Sequence, residues 1–222
     1  MKEIILDTET TGLSVKDGHR IVEIGCIELD NLVPTKNIFH CYLNPERKVS
    51  EKAFEVHGYS DQFLSNKKKF FEIADEFLNF IKDKKIIMHN AEFDISHLNN
   101  ELSIAGKPEI NKETTVDTLD LARNKFPGSG ISLDALCKRF RIDNSKREKH
   151  TALIDCELLA KVYINLLDQK EPKLNFSNSV DINSVDTQNK NITYSKKIVY
   201  PKSEELEKHR EFLKRDLKKN FY

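Results

Sequence analysis

The sequence predicts an α/β fold: a mixed sheet that opens with three antiparallel strands, gains two more, and is flanked by helices. Three observations predict it. Apolar, β-branched runs crowd the first 45 residues, helical spacing then alternates with short apolar runs, and apolar periodicity stops near residue 168.

Residues 3–7 (Glu-Ile-Ile-Leu-Asp) and 21–29 (Ile-Val-Glu-Ile-Gly-Cys-Ile-Glu-Leu) read as strands, and 38–43 (Ile-Phe-His-Cys-Tyr-Leu) as a third, ended by Asn44-Pro45. Together they make a three-strand antiparallel meander. Phe70, Ile73, Ala74, Phe77, Leu78 and Ile81 recur at spacings of three and four, which predicts a helix. Ile86-Ile87-Met88 is a short buried strand, followed by a helix from about Ala91 to Ala105. A brief strand at Thr115-Val116-Asp117 leads into a helix near Leu119–Lys125 that Phe126-Pro127-Gly128 stops. Ser132 is an N-cap for a further helix with Leu133, Leu136, Cys137 and Phe140 on one face. The last helix of this domain, 1–168, runs from about Thr151 to Leu167.

Beyond it the composition shifts. Residues 175–195 are dominated by Asn and Ser and cannot bury enough surface to offset their ordering entropy, so 169–197 reads as a flexible linker. A charge-dense helical tail is expected over 198–222, with Leu206, Phe212, Leu213 and Leu217 as sparse apolar positions. Residues 196–222 carry nine Lys/Arg against five Asp/Glu. An isolated helix of that length is marginal in water and calls for a partner.

Bulk properties exclude more than they assign. With 38% hydrophobic residues and a mean hydropathy of −0.56, no window of the chain offers the ~18 uninterrupted apolar residues of a membrane span. Met1-Lys2-Glu3 does not open a signal peptide, so a cytoplasmic protein is expected. Cys26, Cys41, Cys137 and Cys156 are scattered in apolar contexts and read as free buried thiols rather than a disulfide or zinc framework. The 36 basic and 36 acidic residues cancel, so nucleic-acid binding has to be argued from local chemistry.

Three acidic segments carry that chemistry. Asp7-Thr8-Glu9-Thr10-Thr11-Gly12 ends the first strand, where residues i and i+2 share a face, so Asp7 and Glu9 project together. Adjacent carboxylates repel unless a cation holds them, and Mg²⁺ or Mn²⁺ suits such oxygens. Taken alone the pattern is common and also fits an acidic strand end entering a polar turn. In His89-Asn90-Ala91-Glu92-Phe93-Asp94, Asn90 is positioned to cap the following helix, with Asp94 in its first or second turn. Dipole stabilisation explains Glu92 well, whereas Phe93 and Ile95 anchor Asp94 close to the sheet. In His150-Thr151-Ala152-Leu153-Ile154-Asp155-Cys156 the acid sits among apolar neighbours, which disfavours it unless paired or metal-bound. His150 precedes that helix, either as a locally bonded helix-start residue or within reach of a metal-bound water.

Taken jointly, Asp-x-Glu, Asn-Ala-x-Phe-Asp and His-x₄-Asp resemble the three exonuclease motifs of the DEDDh branch of the DnaQ-like superfamily. Ile-Val-Glu-Ile-Gly (21–25), Phe-His-Cys-Tyr-Leu-Asn-Pro-Glu-Arg (39–47), Val-His-Gly (56–58), Val-Asp-Thr-Leu-Asp-Leu-Ala-Arg (116–123) and Ser-Leu-Asp-Ala-Leu-Cys (132–137) extend the resemblance. It is densest over 1–168 and points to the proofreading exonucleases of bacterial replicative polymerases. It implies a ribonuclease H-like sheet and two divalent cations, Mg²⁺ or Mn²⁺. Asp7, Glu9 and Asp155 would hold one ion, Asp7 would bridge to the second, and Asp94 would support that second site. His150 would be the general base, and hydrolysis would release nucleoside 5′-monophosphates from a DNA 3′ end. Glu9, His57, His89, Asn90 and Phe93 would surround the terminal nucleotide, with Leu13 against a base and Asp7 and Asp155 also facing the substrate. Val-His-Gly could equally close a helix. One departure is Lys52, which stands directly before Ala-Phe where the family commonly has an acid, with Glu51 one place earlier.

For the tail, Glu171-Pro172-Lys173-Leu174-Asn175-Phe176 resembles a degenerate sliding-clamp motif in which Glu171 replaces the usual Gln. Leu174 and Phe176 packing on the domain is the other reading. Residues 198–217 resemble a segment that docks on the polymerase catalytic (alpha) subunit, and the family resemblance implies a sliding clamp and a small accessory (theta-like) subunit as further partners. Two rival functions fit parts of the sequence. A freestanding DEDDh nuclease on RNA or single-stranded DNA would have no need of the tether and terminal helix. A non-enzymatic adaptor would have no need of five intact catalytic-type residues.

Overall fold

Strand β1 (Lys2–Thr10) is buried on both faces for most of its length, as a central strand must be, with Ile4, Ile5 and Leu6 as its apolar centre. Antiparallel β2 (Ile21–Asp30) and β3 (Val33–Tyr42) lie on one side of it, and parallel β4 (Lys85–Met88) and β5 (Thr115–Asp117) on the other. The sheet order is β3-β2-β1-β4-β5. The structure, a computed structural model, describes residues 2–145, 147, 149–167 and 201–216.

The meander and the two later strands are those the sequence predicts, with one difference. β3 begins at Val33 rather than at residue 38, because Asn31 and Leu32 take positive φ values of 50° and 66° and close a two-residue turn. Such turns match the twist of paired strands, so pairing continues to Asp30 opposite Val33.

Helices α1 (Glu51–His57) and α2 (Asp61–Leu64) fill a stretch for which periodicity predicts nothing. Both are set by capping: Ser50 and Ser60 accept from Ala53 N and Phe63 N, and Gly58 ends α1 at φ 79°. Helices α3 (Phe70–Ile81), α4 (Ala91–Ile104), α5 (Thr118–Lys125), α6 (Leu133–Phe140) and α7 (Ala152–Leu166) stand where the sequence places them. Ser132 caps α6 and Thr151 caps α7.

The expected side-chain cap at Asn90 is not made. Asn90 is left-handed (φ 72°), and its own N–H and that of Ala91 donate to Asp117 Oδ1 and Oδ2 at 3.0 and 3.1 Å. Asp117 also accepts from Leu119 N at 2.8 Å, so one carboxylate at the end of β5 serves the N-termini of α4 and α5. Its two oxygens accept from three orphan donors, more than the single oxygen of an Asn90 amide could, and an acid suits the positive ends of both helices.

Two cores result. Ile4 and Leu6 pack with α3 and α4, while Ile5, Ile27, Leu29 and Ile87 pack with α6 and α7 on the other face. The second face is unusually close. A Cβ on Gly25 would lie 2.6 Å from the Ala152 carbonyl carbon, so the backbone of α7 rests directly on β2 at that glycine. The Cys156 thiol donates to Gly25 O at 3.1 Å across the same contact. All four cysteines are free, as expected, with Cys26, Cys137 and Cys156 buried.

The second unit of the chain, Asn175–Tyr222, contains α8 (Ser203–Asp216), which exposes Leu206 and Phe212. The 169–197 linker expectation and the Glu171, Leu174 and Phe176 motif lie outside the described residues. Among the described residues no helix is long and apolar enough to cross a membrane.

Candidate active site

β1 and β4 run parallel and in register only as far as Ile5 opposite Ile87. β1 then continues to Thr10, while β4 ends at Met88 and turns into α4. A cleft opens where the two chains part, at the carboxyl ends of the parallel strands. Asp7 and Glu9 share the face of Ile5, the face that α7 covers. A register shift between Glu9 and Thr10 bulges the pairing with β2 at this point. Bulges of this kind bend a strand end and re-aim its side chains.

Asp94 approaches from the opposite face on the first turn of α4. Its Oδ1 accepts from Thr8 N at 3.1 Å and from Thr8 Oγ1 at 2.7 Å, which pins the acid between Asp7 and Glu9 in sequence. Asp155 arrives on the first turn of α7, brought close by the Gly25 contact. Asp7, Glu9, Asp94, Asp155 and His150 line one cleft of about 220 Å³, together with Thr8, His89, Phe93, Leu133 and Arg147.

The electrostatics follow from that crowding. Burial, then the charges of Asp94, Glu9 and Asp155, hold the Asp7 carboxyl well above the usual range. Burial together with Asp155, Glu23 and Asp94 pushes Glu9 up to about 8, and burial against the Thr8 hydrogen bonds leaves Asp94 at about 7. Asp155 moves the other way. Burial opposes its ionisation, but His150 and Arg147 outweigh that and lower it.

Arg147 is the functional-site residue that motif reading missed. Its guanidinium grips Asp155 through two bonds of 2.5 and 2.7 Å, reaches Asp134 at 2.8 Å and meets His150 Nδ1 at 2.8 Å. The only signal in the sequence is the basic run Lys146-Arg147-Glu148-Lys149 ahead of His150, which also fits a solvated loop.

A second cavity of about 460 Å³ adjoins the first, sharing Thr8, Glu9 and Phe93. Leu13 and His57 line it, as does Lys52, the residue that departs from the family pattern. Leu13 is 82% exposed and stands at the rim. His57 is 3% exposed; its Nδ1 accepts from Tyr59 N at 3.0 Å, and its Nε2 is buried without a hydrogen-bond partner. Nδ1 as acceptor leaves the ring proton on Nε2, which has only a weak interaction with the Thr10 backbone. Burial lowers the pKa of His57 and keeps it neutral. His89 bonds Thr118 Oγ1 at 2.9 Å within the acidic cleft, whereas Asn90 is exposed and lines neither cavity.

Divalent cations fit this donor set. Ligand atoms of Glu9, His150 and Asp155 lie within 4.8 Å of one another, and raised carboxyl pKa values mark a site that is short of positive charge. A family model described as exonuclease (RNase T type) matches residues 4–163. The DNA polymerase III subunit epsilon of Rickettsia conorii is 49% identical over 98% of this chain and 97% of its own length.

The chain belongs to this exonuclease family.

The epsilon subunit of Escherichia coli is 47% identical over 73% of this chain and 70% of that protein. Among solved structures, the nuclease domain of 3′hExo, a DEDDh family member bound to rAMP, matches with a TM-score of 0.66. Its identity is 17%, over 76% of this chain and 92% of that one, and it supports the fold alone. As an exonuclease of this family the chain is an enzyme whose fold works with divalent metal ions.

Proposed function

We propose that this chain is the 3′→5′ proofreading exonuclease of a bacterial replicative DNA polymerase, acting in the cytoplasm on mispaired DNA 3′ ends. One observation carries the reading: four carboxylates and a histidine from three distant segments line one cleft beside a nucleotide-sized pocket. The epsilon relatives, similar over almost the full length of this chain, support the replicative setting.

In this reading Asp7, Glu9, Asp155 and Asp94 would hold two divalent cations, Mg²⁺ or Mn²⁺. When bound, such ions supply a water of lowered pKa and charge stabilisation for the departing 3′-oxygen. His150 is the general base that takes a proton from the attacking water. Its Nδ1 lies 3.4 Å from Asp155 Oδ2, and donation there leaves Nε2 as the accepting nitrogen. Arg147, at the same Nδ1, competes for that role, so withdrawal of the guanidinium from His150 accompanies the productive tautomer.

His57 Nε2–H donates to an oxygen of the terminal nucleotide, and Leu13 and Phe93 offer apolar surface to its base. His89, in the acidic cleft, serves the adjoining sugar-phosphate. An unpaired terminal base is less costly to splay into such a pocket, which favours mismatched ends. Residues 1–168 form the nuclease and 169–197 tether it. Residues 198–222 dock on the polymerase catalytic (alpha) subunit, with Glu171, Leu174 and Phe176 offered to a sliding clamp and a theta-like subunit as a further partner.

Asp7→Ala tests the chemistry. Metal-dependent release of mononucleotides from a DNA oligonucleotide should fall by at least about a thousandfold. Retention of near-normal release in a folded Asp7→Ala chain would end this reading.

A further inference from the structure

Glu23 is fully buried on β2, opposite Glu9 in the strand register, and beyond its charge on Glu9 has been given no role above. It accepts from three directions. Tyr59 OH donates to Oε2 at 2.8 Å, Ala152 N–H donates to the same oxygen at 2.9 Å, and His40 Nε2 meets Oε1 at 2.7 Å. Those donors belong to three separate parts of the fold: the segment after α1, the first residue of α7, and β3.

Two of the three lead to the candidate site. The Tyr59 ring stacks on His57, with centroids 4.8 Å apart and planes at 21°, and Tyr59 N–H donates to His57 Nδ1. Ala152 lies between His150 and Asp155, so the bond to Glu23 fixes the start of α7, which carries Asp155 and which His150 directly precedes. The same two regions meet again on the outside, where His150 N donates to Val56 O at 3.2 Å and Lys149 Nζ to Glu55 O at 2.6 Å. Both acceptors sit near the end of α1, which lines the nucleotide pocket. A buried carboxylate with this many donors holds its geometry far more tightly than an apolar contact would.

We propose that Glu23 is a positioning residue that locks the nucleotide-pocket wall and the base-bearing end of α7 into one rigid unit. Substrate seated against His57 is thereby held in fixed register with His150. The proposal rests on the roles given to His57 and His150 under the proposed function.

The test uses the full chain, with Tyr59→Phe and Glu23→Gln as variants. The readouts are steady-state release of mononucleotides from a single-stranded DNA oligonucleotide with Mn²⁺, binding of a nucleoside 5′-monophosphate, and thermal unfolding. Tyr59→Phe removes one oxygen and leaves the Ala152 bond in place. KM and the mononucleotide dissociation constant should rise about tenfold while kcat stays within about twofold. Glu23→Gln places an amide NH₂ against a donor, so kcat should also fall about tenfold. An unchanged KM in Tyr59→Phe overturns the proposal. So does a Glu23→Gln loss that only follows the fraction of unfolded protein, with KM unaltered. If the unsubstituted chain released no mononucleotide with metal present, the nuclease reading itself would fall, and that result is separable from the other two.

Discussion

At the scale of single residues, the cleft sets two demands against each other. Asp7, Glu9 and Asp94 are held above the usual carboxylate range by burial and mutual repulsion, Glu9 to about 8 and Asp94 to about 7. A carboxyl with a raised folded pKa keeps a proton that the unfolded chain sheds near pH ~4. Its stabilising contribution is therefore present at low pH and is lost as pH climbs through the folded value. His57, His89 and His97, lowered by burial, act in the opposite sense, but only below about pH 6.5. Metal-free protein should thus lose melting temperature between about pH 6.5 and 8.5, and Mn²⁺ should abolish that slope by replacing protons with metal. A melting temperature independent of pH in chelator would contradict the argument. Arg147 belongs to the same balance, since it supplies positive charge to Asp155 from within the chain. Its place was illegible because its partners, Asp134, His150 and Asp155, are set by folding of a loop that has no periodicity of its own.

At the scale of elements, the decisive contact is backbone on backbone. Gly25 lets α7 lie against β2, which carries Asp155 to the edge occupied by Asp7. Gly25→Ala would force a Cβ to within 2.6 Å of the Ala152 carbonyl carbon, and backbone cannot rotate away as a side chain can. The expected cost is about 1–3 kcal/mol of stability. Activity should drop about 10–100-fold through displacement of Asp155 and His150. Steady-state assays and thermal melts of this variant check both. A variant as active as the unsubstituted chain would show that α7 tolerates the shift. Much of this level was readable beforehand. The strands and longer helices declare themselves by period, and i, i+2 geometry put Asp7 and Glu9 on one face. What escaped was either short or non-local. α1 and α2, with seven and four residues, are too brief for periodicity and are marked only by Ser50, Ser60 and Gly58. The cap of α4 comes from Asp117, 26 to 27 residues downstream of the groups it serves, which no local pattern can reveal.

At the scale of the whole chain, the first 167 residues contain every group invoked for the chemistry, whereas α8 contributes none of them. Deleting 178–222 should leave metal-dependent nucleotide release within about twofold and abolish co-purification with the polymerase catalytic subunit. Undiminished co-purification would assign docking to the nuclease unit instead. The sheet carries its own hazard at the other end of the order. β5 has only three residues and lies at the sheet edge, yet its last one, Asp117, secures the helix that presents Asp94. Short edge strands are the first to open in local fluctuations. Such fraying would unseat one acid while the rest of the domain stayed folded. Heat or denaturant should therefore silence hydrolysis before the global transition, a fail-safe for an enzyme that trims the genome being copied.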